Sequence, residues 1–112
     1  MESNVRTLSF LIKDQIIEKD PDCDFSGLVA GTKGYYVAKF SFSESWTNYK
    51  KIAVFKNRST TKFVPIINDM CQIPDEITTS LLYRVSVVGK TRDISIPTTE
   101  TFVTQKRGGM YG

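Results

Sequence analysis

Few residues in this chain can do chemistry, and the one most often used for it is missing. There is no histidine, which removes the usual general base near neutral pH and the commonest zinc ligand. Two cysteines, Cys23 and Cys71, cannot complete a four-ligand zinc site without it. Neither has a neighbouring base that would activate it as a nucleophile. No glycine-rich phosphate loop occurs. Asp20, Asp22 and Asp24 open like a calcium loop, but the sixth and twelfth positions hold Phe25 and Gly31 where Gly and Glu are needed. A solvated acidic turn around Pro21 is the simpler expectation. The residues point to a chain with no catalytic apparatus, no cofactor and no metal.

Binding is the remaining chemistry. Lys50, Lys51, Lys56, Arg58 and Lys62 gather around one stretch, with Trp46 and Tyr49 close by. Cations interleaved with aromatics can hold an anionic polymer or a sugar, although lysines on a hairpin also guard exposed strands against aggregation. Tyr35, Tyr36, Phe40, Phe42, Trp46, Phe55 and Tyr83 could line a carbohydrate cleft, but aromatics at strand spacing are expected mostly in the core. Tyr35 is the exception, because it falls on the polar phase of its strand. Tyr35, Trp46 and Arg58 are therefore the candidate partner-binding residues. Met110 and Tyr111, apolar groups among the glycines of the C-terminal tail, join them.

Elements of period two must position these residues. Leu8, Phe10 and Ile12 alternate with Thr7, Ser9 and Leu11 as a first strand. Residues 20–24 turn the chain, and residues 25–29 read as a short strand. Tyr36, Ala38, Phe40 and Phe42 then face one side while Lys39, Ser41 and Ser43 face the other. Trp46 lies in a polar connection, residues 44–50. Residues 52–55 are apolar on both faces, as a central strand should be. A loop at 56–60 returns the chain through 62–67, where Pro65 suits an edge or a bulge better than a central ladder. Asn68-Asp69 turns it into a short strand at 70–73, and Pro74 can start one helical turn. Tyr83, Val85 and Val87 alternate up to Gly89, and residues 93–96 and 101–104 complete the set.

Eight or nine short strands with turn signals roughly every 8–12 residues read as an all-β chain, a sandwich or small barrel. Phe40, Phe42, Val54, Val85 and Val87 are the expected core. The length of 112 residues suits one domain, and 40% hydrophobic residues suffice for a core without staples. The net charge of +3 is too small for a nucleic-acid-binding composition. No apolar run has the length of a membrane helix, and the N-terminus does not read as a signal peptide, so folding in a cytoplasm is expected. There the cysteines are expected to stay reduced. Cys23, Trp46 and Cys71 do copy the Cys–Trp–Cys order of antibody domains, but Cys23 lies in a turn and Asp69 replaces the tyrosine-corner Tyr.

One further pattern runs through Tyr36-Val37-Ala38-Lys39-Phe40-Ser41-Phe42-Ser43-Glu44-Ser45-Trp46, then Lys51-Ile52-Ala53-Val54-Phe55, Cys71-Gln72-Ile73-Pro74 and Tyr83-Arg84-Val85-Ser86-Val87-Val88-Gly89. It resembles the immunoglobulin-like domain of tail, baseplate, fibre and virion accessory proteins in phages and prophages of Gram-positive bacteria. Asp75 stands where that family often has Trp. The resemblance implies an immunoglobulin-like antiparallel β-sandwich of about seven to nine short strands over residues 7–105, with an N-terminal arm at 1–6 and a flexible tail at 106–112. It also implies a non-enzymatic structural protein of the virion, made in the host cytoplasm. A small capsid-decoration or tail/baseplate accessory protein, oligomeric in the assembly, fits a chain ending at Gly112. Its partners would be other virion proteins, with no membrane and no nucleic acid. A host cell-surface carbohydrate is the alternative ligand.

Overall fold

A computed structural model describes residues 4–109. Among them, nine strands form two packed sheets, so the chain is a β-sandwich. The strands are β1 (Arg6–Lys13), β2 (Ile16–Lys19), β3 (Tyr36–Phe42), β4 (Lys50–Lys56), β5 (Thr61–Pro65), β6 (Met70–Gln72), β7 (Leu82–Lys90), β8 (Ser95–Pro97) and β9 (Thr101–Thr104). One sheet has the order β2-β1-β3-β6 and the other β5-β4-β7-β8, with β9 also paired to β7. The neighbours β3–β6 and β5-β4-β7-β9 match the B–E and C′-C-F-G neighbours of immunoglobulin domains.

The sandwich is not wholly antiparallel. β1 and β3 run parallel, from Arg6 beside Tyr36 to Ile12 beside Phe42. Parallel neighbours need a long crossover, and residues 20–35 provide it after β1 and β2 have closed a hairpin. Period-two reading misses β2, whose four residues include one buried side chain, Ile17. It also places a strand at 25–29, where the structure has turns and one bridge from Val29 to Lys106. That segment is held by side chains. Arg6 donates to the Asp24 and Ser26 carbonyls at 2.8 and 2.7 Å, and Asp24 Oδ1 accepts from the Ser26 amide and hydroxyl. Phe25 meets Phe10 edge to face at 5.5 Å.

Alternation puts Phe40, Val85 and Val87 in the core as expected. Phe42 is only half-buried, at the rim. Val54 is buried but lies outside the core, since Ala53 and Phe55 take the inward phase of β4. Asn68 and Asp69 have φ of 53° and 63°, and Ile67 and Met70 exchange both backbone hydrogen bonds around them. This is the two-residue hairpin geometry with φ > 0 at both central positions. It takes the chain from one sheet to the other. Arg6 belongs to β1, not to an arm, and Lys106 is tied to Leu28 and Ala30 by backbone hydrogen bonds of 2.7 and 2.8 Å.

Trp46 departs furthest from its expected place. It ends a 3-10 turn, Glu44–Trp46, and is 0% exposed. Its indole N–H donates to the Asp14 carbonyl at 2.7 Å, and its ring meets Phe42 and Tyr49. It lies over Gly89, where an added Cβ would come within 2.5 Å of the ring. Gly89→Ala should therefore cost about 1–3 kcal/mol by overpacking. A denaturant midpoint equal to wild type would show that this close approach is absent.

The two sulfurs lie apart. Cys23 Sγ accepts the Ser9 amide at 3.4 Å and is half-buried, while Cys71 is buried beside Ala38. Burial pushes the Cys71 thiol from its ordinary 9.0 up to about 12. Burial, and then Tyr36, pushes the Tyr83 phenol upward as well. Above about pH 9 the unfolded chain loses protons that the folded chain keeps, so stability falls as pH rises towards 12. The urea midpoint should drop between about pH 8 and about pH 10.5, and less so in Cys71→Ala. Alkylation at neutral pH should label Cys23 well before Cys71. Equal labelling rates would contradict the burial of Cys71.

Candidate interaction surface

Two features of the fold create a surface with recognition chemistry. The first is the end of the sandwich where β1 and β3 begin and β6 and β9 finish. The amide of Gly34 donates to Asp75 Oδ1 at 3.0 Å, and Thr78 Oγ1 donates to the Thr32 carbonyl at 2.7 Å. Asn57, at the start of the β4–β5 loop, donates to the Glu76 carbonyl at 2.9 Å. Gln105 Nε2 donates to the carbonyls of Thr78 and Ser80. Three connections and the C-terminal end of β9 are thus tied together here. Lys62 pairs with Glu76 across the hairpin at 3.4 Å. The Glu76 carboxyl is held below the ordinary carboxylate range, first by a backbone amide and then by Lys62.

The second feature is the outer face of the five-stranded sheet. Inward residues of β7, Tyr83, Val85 and Val87, belong to the core, so Leu82, Arg84, Ser86, Val88 and Lys90 face outward. Register places Val54 between Phe63 and Ser86, and Ile52 between Pro65 and Val88, which in turn meets Pro97. Lys56 and Arg84 lie beside Phe102 in the next row. This outer face is therefore apolar along its middle. Phe63, Phe102 and Leu82 are 68%, 51% and 48% exposed. Outer faces of antiparallel sheets normally carry polar side chains, so this apolar middle, with Phe102 and Leu82 set beyond the Lys56–Arg84 pair, is a candidate interaction surface.

The candidates from the sequence divide between these features. Arg58 is exposed in the β4–β5 loop and lines a shallow cavity of about 280 Å³ with Lys56, Asn57, Leu82, Tyr83, Arg84 and Phe102. Tyr35 is 43% exposed at the same end of the sandwich but on the other sheet, its ring 5.4 Å from that of Tyr36. Trp46 is corrected. It lies at the opposite end, fully buried, because a large ring with one donor is accommodated by a glycine and a free carbonyl. It offers no surface to a partner. Met110 and Tyr111 lie outside the described residues. Phe63, Leu82 and Phe102 were not singled out from the sequence, where alternation on a two-sided apolar strand looks the same for core and outer face.

The acidic run is used internally. Asp20 Oδ1 accepts the Asp22 amide at 2.9 Å, and the two hydrogen bonds from Ser26, the hydroxyl first, hold the Asp24 carboxyl below the usual carboxylate range. Among the described residues, no three Cys, Asp or Glu side chains converge as a metal site would require. No helix among the described residues is long and apolar enough to cross a membrane. Comparison of the chain with protein-family models, with curated proteins and with solved structures gives no match.

Proposed function

We propose that this chain is a non-enzymatic structural protein of a bacteriophage virion, a small capsid-decoration or tail/baseplate accessory protein that works through protein–protein contacts. The observation that carries the mode of action is the apolar outer face of the five-stranded sheet, with Phe63, Leu82 and Phe102 exposed on it. A monomeric domain gains nothing from such a face in water, whereas a neighbour that covers it gains the hydrophobic transfer energy. The virion setting is supported by the sequence resemblance of residues 36–46, 51–55, 71–74 and 83–89. A small domain attached at many lattice points can be held by contacts that are weak singly, through multivalency.

Exposed aromatics also suit a carbohydrate surface, so one experiment has two arms. Purified chain is incubated with particles lacking it and pelleted, and in parallel is passed over immobilised host cell-wall polysaccharide. Saturable retention on particles is the expected result. Tyr35→Ala should keep the unfolding free energy within about 0.5 kcal/mol of wild type, as an exposed side chain does. Retention on polysaccharide with none on particles would replace the assembly reading with an adhesion module.

A further inference from the structure

The outer sheet face carries a charge pattern that its apolar middle does not explain. At one end Lys50 and Lys90 lie directly opposite each other on β4 and β7, both exposed. Like charges in that relation destabilise a sheet, and neither makes a salt bridge among the described residues. At the other end Lys56 and Arg84 share one carboxylate, Glu100, at 3.5 and 3.4 Å. Arg58 stands beside them over the cavity and makes no salt bridge among the described residues. The face is thus an apolar strip with excess positive charge at both ends.

We infer that this face docks a partner protein whose contact surface is apolar at its centre and acidic at its rim, with one large apolar side chain seated between Phe102, Leu82 and Arg58. This rests on the protein-contact reading above and adds the surface and the partner's chemistry. Complementary charge at the rim steers encounter and sets orientation, while the buried centre holds the complex. A second copy of this chain fits poorly. A two-fold axis along the strands lays Lys50 and Lys90 over their own equivalents, and one across them lays that pair over Lys56 and Arg84, whose carboxylate is already shared. A nucleic acid fits poorly too, since it needs cations tracking a backbone, and here the centre is Ile52, Val54, Val88 and Phe63.

The test uses the full chain, immobilised, and a library of random short peptides selected against it. Enriched peptides should place a large aliphatic or aromatic residue next to Asp or Glu. Synthetic copies should lose about tenfold or more in affinity against Phe102→Ser and against Arg58→Glu. Peptides with those acids changed to Lys should bind Arg58→Glu better than they bind wild type. Arg58 lies in an exposed loop, so this variant reports even if Phe102→Ser fails to fold. No enrichment, enrichment of basic or uncharged peptides, or equal binding by both variants would overturn the inference. So would a dimer in sedimentation equilibrium that Phe102→Ser dissolves, or duplex DNA binding lost in Arg58→Glu. Acidic peptides that bind here while particles retain nothing would remove the virion setting and leave this surface standing.

Discussion

The sandwich closes at one end on a single side chain. Trp46 leaves β3 by a 3-10 turn and lies across the gap between the sheets. Burying a tryptophan removes roughly 150–250 Å² from water, worth about 4–6 kcal/mol by area. The gain is available only if the indole N–H finds an acceptor, since an unpaired buried donor costs about 1–3 kcal/mol. The Asp14 carbonyl is that acceptor. Asp14 is presented by the β1–β2 turn, where it takes a φ of 52° that Asp tolerates better than most residues. Ser43 Oγ accepts the Asp14 amide and Ser45 Oγ donates to its carboxylate, so the turn and the tryptophan hold each other. Gly89 on β7 completes the fit by having no side chain. The hairpin of one sheet, the crossing to the other, and a central strand of the second therefore depend on one ring.

The opposite end is held by polar groups. Gln105, Thr78 and Thr32 join the C-terminal end of β9 to two connections, and Gln105 is nearly buried while doing so. Its Oε1 and the hydroxyl of Tyr83 are both buried without a partner among the described residues. They lie on the same inward phase, Tyr83 opposite Val103 and Gln105 two residues further along. One is a donor and the other an acceptor, so this corner bears polar desolvation that the Trp46 end avoids. That end also carries Tyr35 and Arg58, so these two candidate residues sit where connections, not core packing, set the geometry.

The apolar outer face follows from the strand order. β4 and β7 are flanked on both sides within their sheet, and their side chains pack on both faces, hence the continuous apolar runs at Ile52–Phe55 and Val85–Val88. Val54 and Ser86 are covered by their neighbours, while Phe63 and Phe102, on flanking strands, stay open. A partner on this face would extend the same burial outward. The paired cations Lys50 and Lys90 work against self-association of so apolar a surface.

All-β class, the alternation of β1, β3 and β7, the turns at Asp20–Asp24 and Asn68-Asp69, and the edge position of Pro65 were legible in the sequence, because period two and turn chemistry are local. The absence of histidine likewise settled, before any coordinates, that no imidazole chemistry operates here. Which side of a two-sided strand meets the core is not local. Val54 and Phe55 are equally apolar, and only the packing of the opposite sheet selects Phe55. β2 was hidden because a short hairpin edge needs one buried residue, and the Phe25–Val29 segment misled because only Leu28 is buried there, while Phe25 is half-buried against Phe10 and exposed Val29 makes a single bridge to Lys106, without pairing as a strand. Trp46 looked like a surface aromatic in a polar loop. Its acceptor lies 32 residues away and its glycine seat on β7, a coincidence of three distant segments that only the tertiary structure could bring about.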